Sequence, residues 1–180
     1  MATYTVKRIV LESYFVLLIA AVLSLLAGFL LQENLERILR LVMLIALVPP
    51  INDMGGNIGC IVGARLATAL HLGTIGPGRG RKHLRRNIWG SMISGILSFG
   101  VAGVVLILLK PLGFPSWVAP VFFLAGIFQT TIAVFVSVWL AFIAFREGLD
   151  PDNVVAPIIT SVCDVSGVAS LLLAVKMLGI

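Results

Sequence analysis

The sequence predicts an all-α, polytopic integral membrane protein with five transmembrane helices, the second and fifth of them broken or polar. Three observations predict it. Of 180 residues 59% are hydrophobic and only 12% are charged, whereas soluble domains are about 45–50% apolar and about 25% charged. Mean hydropathy is +1.11, and the length fits five spans of about 20–25 residues with short connections. Polar and helix-breaking residues gather in two places, "PPINDMGGNIG" at 49–59 and "DPDNVVAPIITSVCDVSG" at 150–167.

The first span runs from about Ile9 to Leu31, behind Lys7 and Arg8, and stops at "QENLER". It is too long for a signal-peptide core and no small-residue cleavage site follows it, so it is a retained span. The second stays helix-compatible from Ile38 to His71, 34 residues. That is about 51 Å at 1.5 Å per residue, against a hydrocarbon core of about 30 Å, so the helix must be tilted, protruding or broken, and Pro49-Pro50 supplies a break. The third covers about Ile88–Leu109, the fourth Trp117–Phe145 and the fifth Val154–Leu178. The whole chain, 1–180, is expected to be one five-helix transmembrane domain.

Charge sets the expected orientation. The net charge of +5 is concentrated at the ends of apolar runs, which is membrane topology and excludes a nucleic-acid face. The segment 76–87, "GPGRGRKHLRRN", is expected to be a loop; it carries Arg79, Arg81, Lys82, Arg85 and Arg86 and is expected on the cytoplasmic side. Five spans then put the N-terminus in the cytoplasm and the C-terminus outside the cell membrane. Cys60 and Cys163 lie in apolar segments with no CxxC or Cys/His spacing, so neither a disulfide framework nor a zinc site is indicated.

Ionisable groups at bilayer depth cost about 2.5–3.5 kcal/mol each on the insertion scale. Glu12, Lys176 and Arg65 are near enough to a membrane face to snorkel; Asp53 and Asp164 have no such escape. Asp53 and Asn57 are four apart and share a face, which continues past Cys60 and Ala64 to Thr68 and His71. Gly55, Gly59 and Gly63, with Ala67 after them, form a small-residue strip of the kind that lets helices approach closely in lipid. On the fifth span Pro157, Thr160 and Asp164 share a face, flanked by Ser161. Pro157 frees a backbone carbonyl, and carbonyl, hydroxyl and carboxylate oxygens are the ligands of a hard cation. Irregular, polar helix at membrane depth is tolerated where it is buried in protein or lines a hydrated cavity. Two such segments are therefore expected to face each other across a cation path.

These two motifs resemble the membrane domain of the MgtE family of magnesium channels and transporters. Pro50, Met54, Gly55, Gly56, Asn57 and Gly59 match the first family stretch; Asp150, Pro151, Pro157, Thr160, Ser161, Asp164 and Val165 match the second. "ARLATALHLG" at 64–73 is closer to the animal solute-carrier relatives, which carry two copies of the unit. The resemblance implies a dimer whose cation path lies near the two-fold axis and is lined by spans two and five. Asp164 matches the pore aspartate that holds a largely hydrated Mg²⁺. Asp53 matches no position of the family pattern, so its place in the site rests on the helical-face argument alone. Family members carry cytosolic ion-sensing domains ahead of the membrane unit; here the first span starts near residue 9, and no sensing domain is expected.

The expected function is therefore divalent-cation transport, Mg²⁺ first, by a homodimer or a heterodimer with a related five-span chain in membrane lipid. No cofactor is expected beyond the transported ion. Asp164, Asp53, Asn57 and Thr160 are the expected cation ligands; Pro50, Gly55, Gly56, Gly59, Pro157, Ser161 and Thr68 are expected to line the path or pack its helices. The rivals are an exporter or exchanger coupled to H⁺ or Na⁺ and a non-transporting assembly subunit. No Ser/His pair, His-rich cluster or GxGD-like arrangement supports an intramembrane enzyme.

Overall fold

The computed structural model describes residues 5–36, 43–76 and 78–180, the side chains of Arg8 and Ile9 excepted. Ile38, the expected start of the second span, and Pro77 of the basic segment lie outside the described residues. The described chain forms five long α-helices: α1 (Val6–Glu33), α2 (Met43–His71), α3 (Arg81–Leu108), α4 (Val118–Arg146) and α5 (Pro151–Leu178), with a short 3₁₀ turn at Lys110–Leu112. Four contain stretches long and apolar enough to cross a membrane, Val10–Glu33, Arg81–Leu108, Val118–Arg146 and Pro151–Leu178. This is a helical membrane protein. The remaining long helix, α2, which carries two prolines, two asparagines and an aspartate, holds no such stretch among the described residues.

Contacts between helices fix their directions. Glu12 accepts from Asn153 Nδ2 at 3.4 Å and Ser24 meets Ser161 at 3.2 Å, so α1 runs parallel to α5. Against α5, α2 is antiparallel, with Gly56 beside Thr160 and Gly63 beside Val155. Phe99 stacks on Phe122 while Gly95 lies against Thr130, so α3 and α4 are antiparallel as well. Helices α1, α3 and α5 thus point one way and α2 and α4 the other. Two large apolar cores hold α2 through α5 together, Leu44, Leu47, Ile51, Phe99, Phe122 and Leu171 at one end and Val62, Leu66, Leu70, Val134, Val155 and Ile159 at the other. A small cluster of Val16, Ala144 and Val154 ties α1 to α4 and α5.

Two expectations change. The break at Pro49-Pro50 is absent: α2 is continuous from Met43 to His71 with both prolines inside it, and α5 is likewise continuous through Pro157. The fixed φ of proline is already helical. What is lost is the donor to the carbonyl four residues back, at Ile45 and Ala46 in α2, both exposed residues. The second change concerns the basic segment, much of which is helix. A tight turn closed by Gly76 and Arg79, with Gly78 and Gly80 at φ +75, lets α3 start at Arg81.

Candidate cation site between α2 and α5

An open cleft of about 420 Å³ runs between α2 and α5, lined by Val48, Pro49, Asn52, Asp53, Gly56, Asn57, Thr160 and Asp164. Its position follows from close helix packing. A Cβ on Gly56 would lie 3.3 Å from Thr160, so the small residue brings the α2 backbone up to the polar turn of α5. One turn further on, a Cβ on Gly59 would collide with Ile159. Asp164 is 13 residues past Pro151, about 20 Å along α5, near the middle of the helix.

The two carboxylates are held differently. Asp53 is exposed and takes 3.1 Å from Asn57 Nδ2, its neighbour on the same helix. Asp164 is half-buried and gripped from two other helices. Asn52 Nδ2 of α2 reaches its Oδ1 at 3.2 Å and its backbone oxygen at 3.4 Å. Ser24 Oγ of α1 reaches its Oδ2 at 3.4 Å while also meeting Ser161. Thr160 donates to the carbonyls of Ala156 and Pro157 at 3.1 and 3.0 Å, which leaves its hydroxyl lone pairs available to the cleft. Ser161 donates to Pro157 O at 3.2 Å on the buried side. The lining thus offers two carboxylates, the Asn57 amide oxygen and a hydroxyl, all hard oxygen donors. Among the described residues no three His, Cys, Asp or Glu converge on one point.

Of the residues singled out from sequence, Asp53, Gly56, Asn57, Thr160 and Asp164 line this one cleft. Gly55 is buried against Gln129, and Gly59 against Ile159 and Ser137. Pro50 is exposed beside the cleft, and half-buried Pro157 lies one turn of α5 from Thr160. Thr68, exposed, donates to Ala64 O at 3.0 Å, about 22 Å along α2 from Asp53.

Residues 48–174 match the family model of MgtE, a divalent cation transporter. The chain belongs to the MgtE family. It is also similar to solute carrier family 41 member 2, at 30% identity to the Xenopus laevis protein over 96% of this chain and 34% of that one. The Mus musculus protein is 30% identical over 98% of this chain and 34% of its own length, and the Homo sapiens protein 28% over the same shares. This chain therefore spans about a third of the length of these relatives. The resemblance read from the two motifs is borne out, and the family so matched is one of divalent cation transporters.

The MgtE match takes in most of α2 and most of α5 but leaves out α1, whose Ser24 nonetheless touches Asp164. Sequence reasoning missed Ser24, Asn52 and Gln129. Gln129 is fully buried; its Nε2 donates to Cys163 O and its Oε1 accepts from Ser166 Oγ, both at 2.9 Å. It braces the back of the α5 turn whose front carries Asp164. Polarity at bilayer depth was the available signal for all three.

Proposed function

We propose that this chain carries a divalent cation, Mg²⁺ first, across the cell membrane along a path lined by α2 and α5. The observation that carries the reading is the cleft itself, where Asp164 and Asp53 from two helices share one lining with Asn57 and Thr160. Mg²⁺ dehydrates reluctantly and is usually bound by one or two carboxylates with several waters retained. A roomy cleft with two carboxylates suits such an ion better than a dehydrated one.

The working unit is a dimer, of two copies or of this chain with a related five-span chain. Asp53, Asn57 and Thr160 are exposed on a single chain, and carboxylates do not face lipid at mid-helix depth without cover or water. A second chain across the cleft supplies the other wall. In this reading all five helices cross the membrane, which the alternating directions of α1, α2 and α3 support. The basic start of α3 faces the cytoplasm, together with the N-terminus.

The test is Mg²⁺ flux into liposomes containing the purified chain. Asp164→Asn keeps shape and removes charge; flux should fall to the protein-free background with the fold intact. Near-normal flux in that variant would overturn the assignment. Flux that requires an imposed H⁺ or Na⁺ gradient would instead favour an exchanger.

A further inference from the structure

We infer that the outward face of α3 holds an anionic phospholipid, its phosphate on Lys82, Arg85 and Arg86 and its acyl chains along Trp89, Ile93 and Leu97. The two sides of α3 are sharply divided. Leu84, Ile88 and Met92 pack inward on the apolar core, and Ser91, Gly95 and Phe99 are buried. On the other side Lys82, Arg85 and Arg86 are exposed, followed along the helix by Trp89 at 62%, Ile93 at 55% and Leu97 at 62% exposure.

That stripe is the complement of a phospholipid read from headgroup to tail. Arginine and lysine meet phosphate through charge-assisted hydrogen bonds. Tryptophan prefers the interfacial level, and aliphatic side chains follow it. From Arg86 to Leu97 is 11 residues, about 16 Å of rise, close to half of a hydrocarbon core of about 30 Å. One leaflet therefore fits the stripe.

No Asp or Glu lies on α3; the acidic residues at this end of the bundle, Glu147, Asp150 and Asp152, belong to the α4–α5 connection and the first turn of α5. The first turn of α3 carries no acidic residue, and its N-cap, Gly80, has no side chain to cap it, so the cations add to the positive end of the helix dipole. Orienting a span requires only a count of positive charges. It does not require them to sit above an exposed tryptophan and an aliphatic stripe on one face. A second copy of the chain is a poor occupant, because pairing α3 with itself brings the like-charged ends together.

The test places Trp89 as a lone reporter by Trp117→Phe and Trp139→Phe and reconstitutes the chain in vesicles doped with brominated lipid. Brominated phosphatidylglycerol should quench Trp89 several-fold more than brominated phosphatidylcholine at equal mole fraction. Arg85→Gln with Arg86→Gln should erase the preference while leaving Arg79, Arg81 and Lys82 to orient the span. Should that variant fail to fold, raising the salt on the parent chain to about 1 M, where the Debye length is about 3 Å, should weaken the preference instead. Equal quenching by both headgroups overturns the inference, as does quenching by neither, which would mean that protein covers the face. Loss of the preference on adding millimolar inorganic phosphate also overturns it, by pointing to a soluble anion.

Discussion

Helix α2 presents two faces of opposite character. One carries Gly55, Gly59 and Gly63, all buried, each where an added Cβ would run into a side chain of α4 or α5. The other carries Asp53, Asn57, Ala64, Arg65, Thr68 and His71, all exposed. The first face is completed by its own chain, and there the helix can only be a structural partner. The second is left open, with charge and amide groups along it, and is completed by something outside the chain: water, an ion, or a second subunit. The same residues that remove bulk on one side let the backbone approach α5 closely enough for polar groups on the other side to share a cleft with Asp164. Packing and function are thus coupled through the helix rather than divided between helices.

The largest expected effect lies in the cleft that the open face shares with α5. Asp164→Asn should abolish Mg²⁺ flux, whereas Asp53→Asn should reduce it by about tenfold. The difference follows from how each is held. Asp164 is fixed by donors from α1 and α2, so its charge is pre-positioned; Asp53 is tied only to its own neighbour Asn57 and can be replaced by water. Equal loss in the two variants would make the carboxylates equivalent and break the ranking.

On the closed face, Gly59→Leu should destabilise the fold, by about 1–3 kcal/mol given the usual cost of overpacking. Thermal unfolding in detergent reads this directly. A variant as stable as the parent would mean that α2 can move away from Ile159 freely, and the coupling of packing to the cleft would be lost.

Asn52 sits between the two faces and sharpens the comparison. Its Nδ2 holds Asp164, while its Oδ1 is buried without a hydrogen-bond partner, pressed on Gly167 where no side chain could fit. Asn52→Ala should weaken Mg²⁺ binding by about tenfold, in the range seen when an outer-shell partner of a metal ligand is removed. Calorimetric titration checks it. Unchanged affinity would mean that the Asp164 carboxylate needs no brace.

The exposed face of α2 was readable from the chain alone, because Asp53 and Asn57 are four residues apart and one helix suffices to align them. So were the α5 residues Thr160 and Asp164. Asn52, Ser24 and Gln129 were not, since each acts on α5 from another helix and the register between helices is absent from a single helix's periodicity. Asn52 was passed over next to Asp53 because the helical-face argument followed the spacing of Asp53 and Asn57. The continuity of α2 is illegible for a different reason: proline's cost depends on whether the carbonyls it frees can be satisfied, and those of Ile45 and Ala46 belong to exposed residues. The apolar spans themselves followed from composition, with α3 starting seven residues before Ile88 because charged residues can be helical outside the hydrocarbon.

The smallest effect is expected at Thr68, on the same open face as Asp53 but about 22 Å further along α2. Its hydroxyl donates to Ala64 O at 3.0 Å, a bond to its own helix that makes no contact with α5. Thr68→Val keeps the shape and removes the oxygen. If ion recognition is concentrated where α2 and α5 share the cleft, Mg²⁺ affinity should stay within about twofold of the parent, because the lost bond belongs to the helix and a single such bond contributes about 0.5–1.5 kcal/mol to stability. Flux can fall modestly even so, since a hydrated ion passing along the open face would lose one oxygen to lean on. Measuring affinity and flux on the same preparation separates the two. A fall in affinity as large as that of Asn52→Ala would mean that the binding site extends down the whole polar face of α2, and the contrast between a local site and a long hydrated path would have to be abandoned.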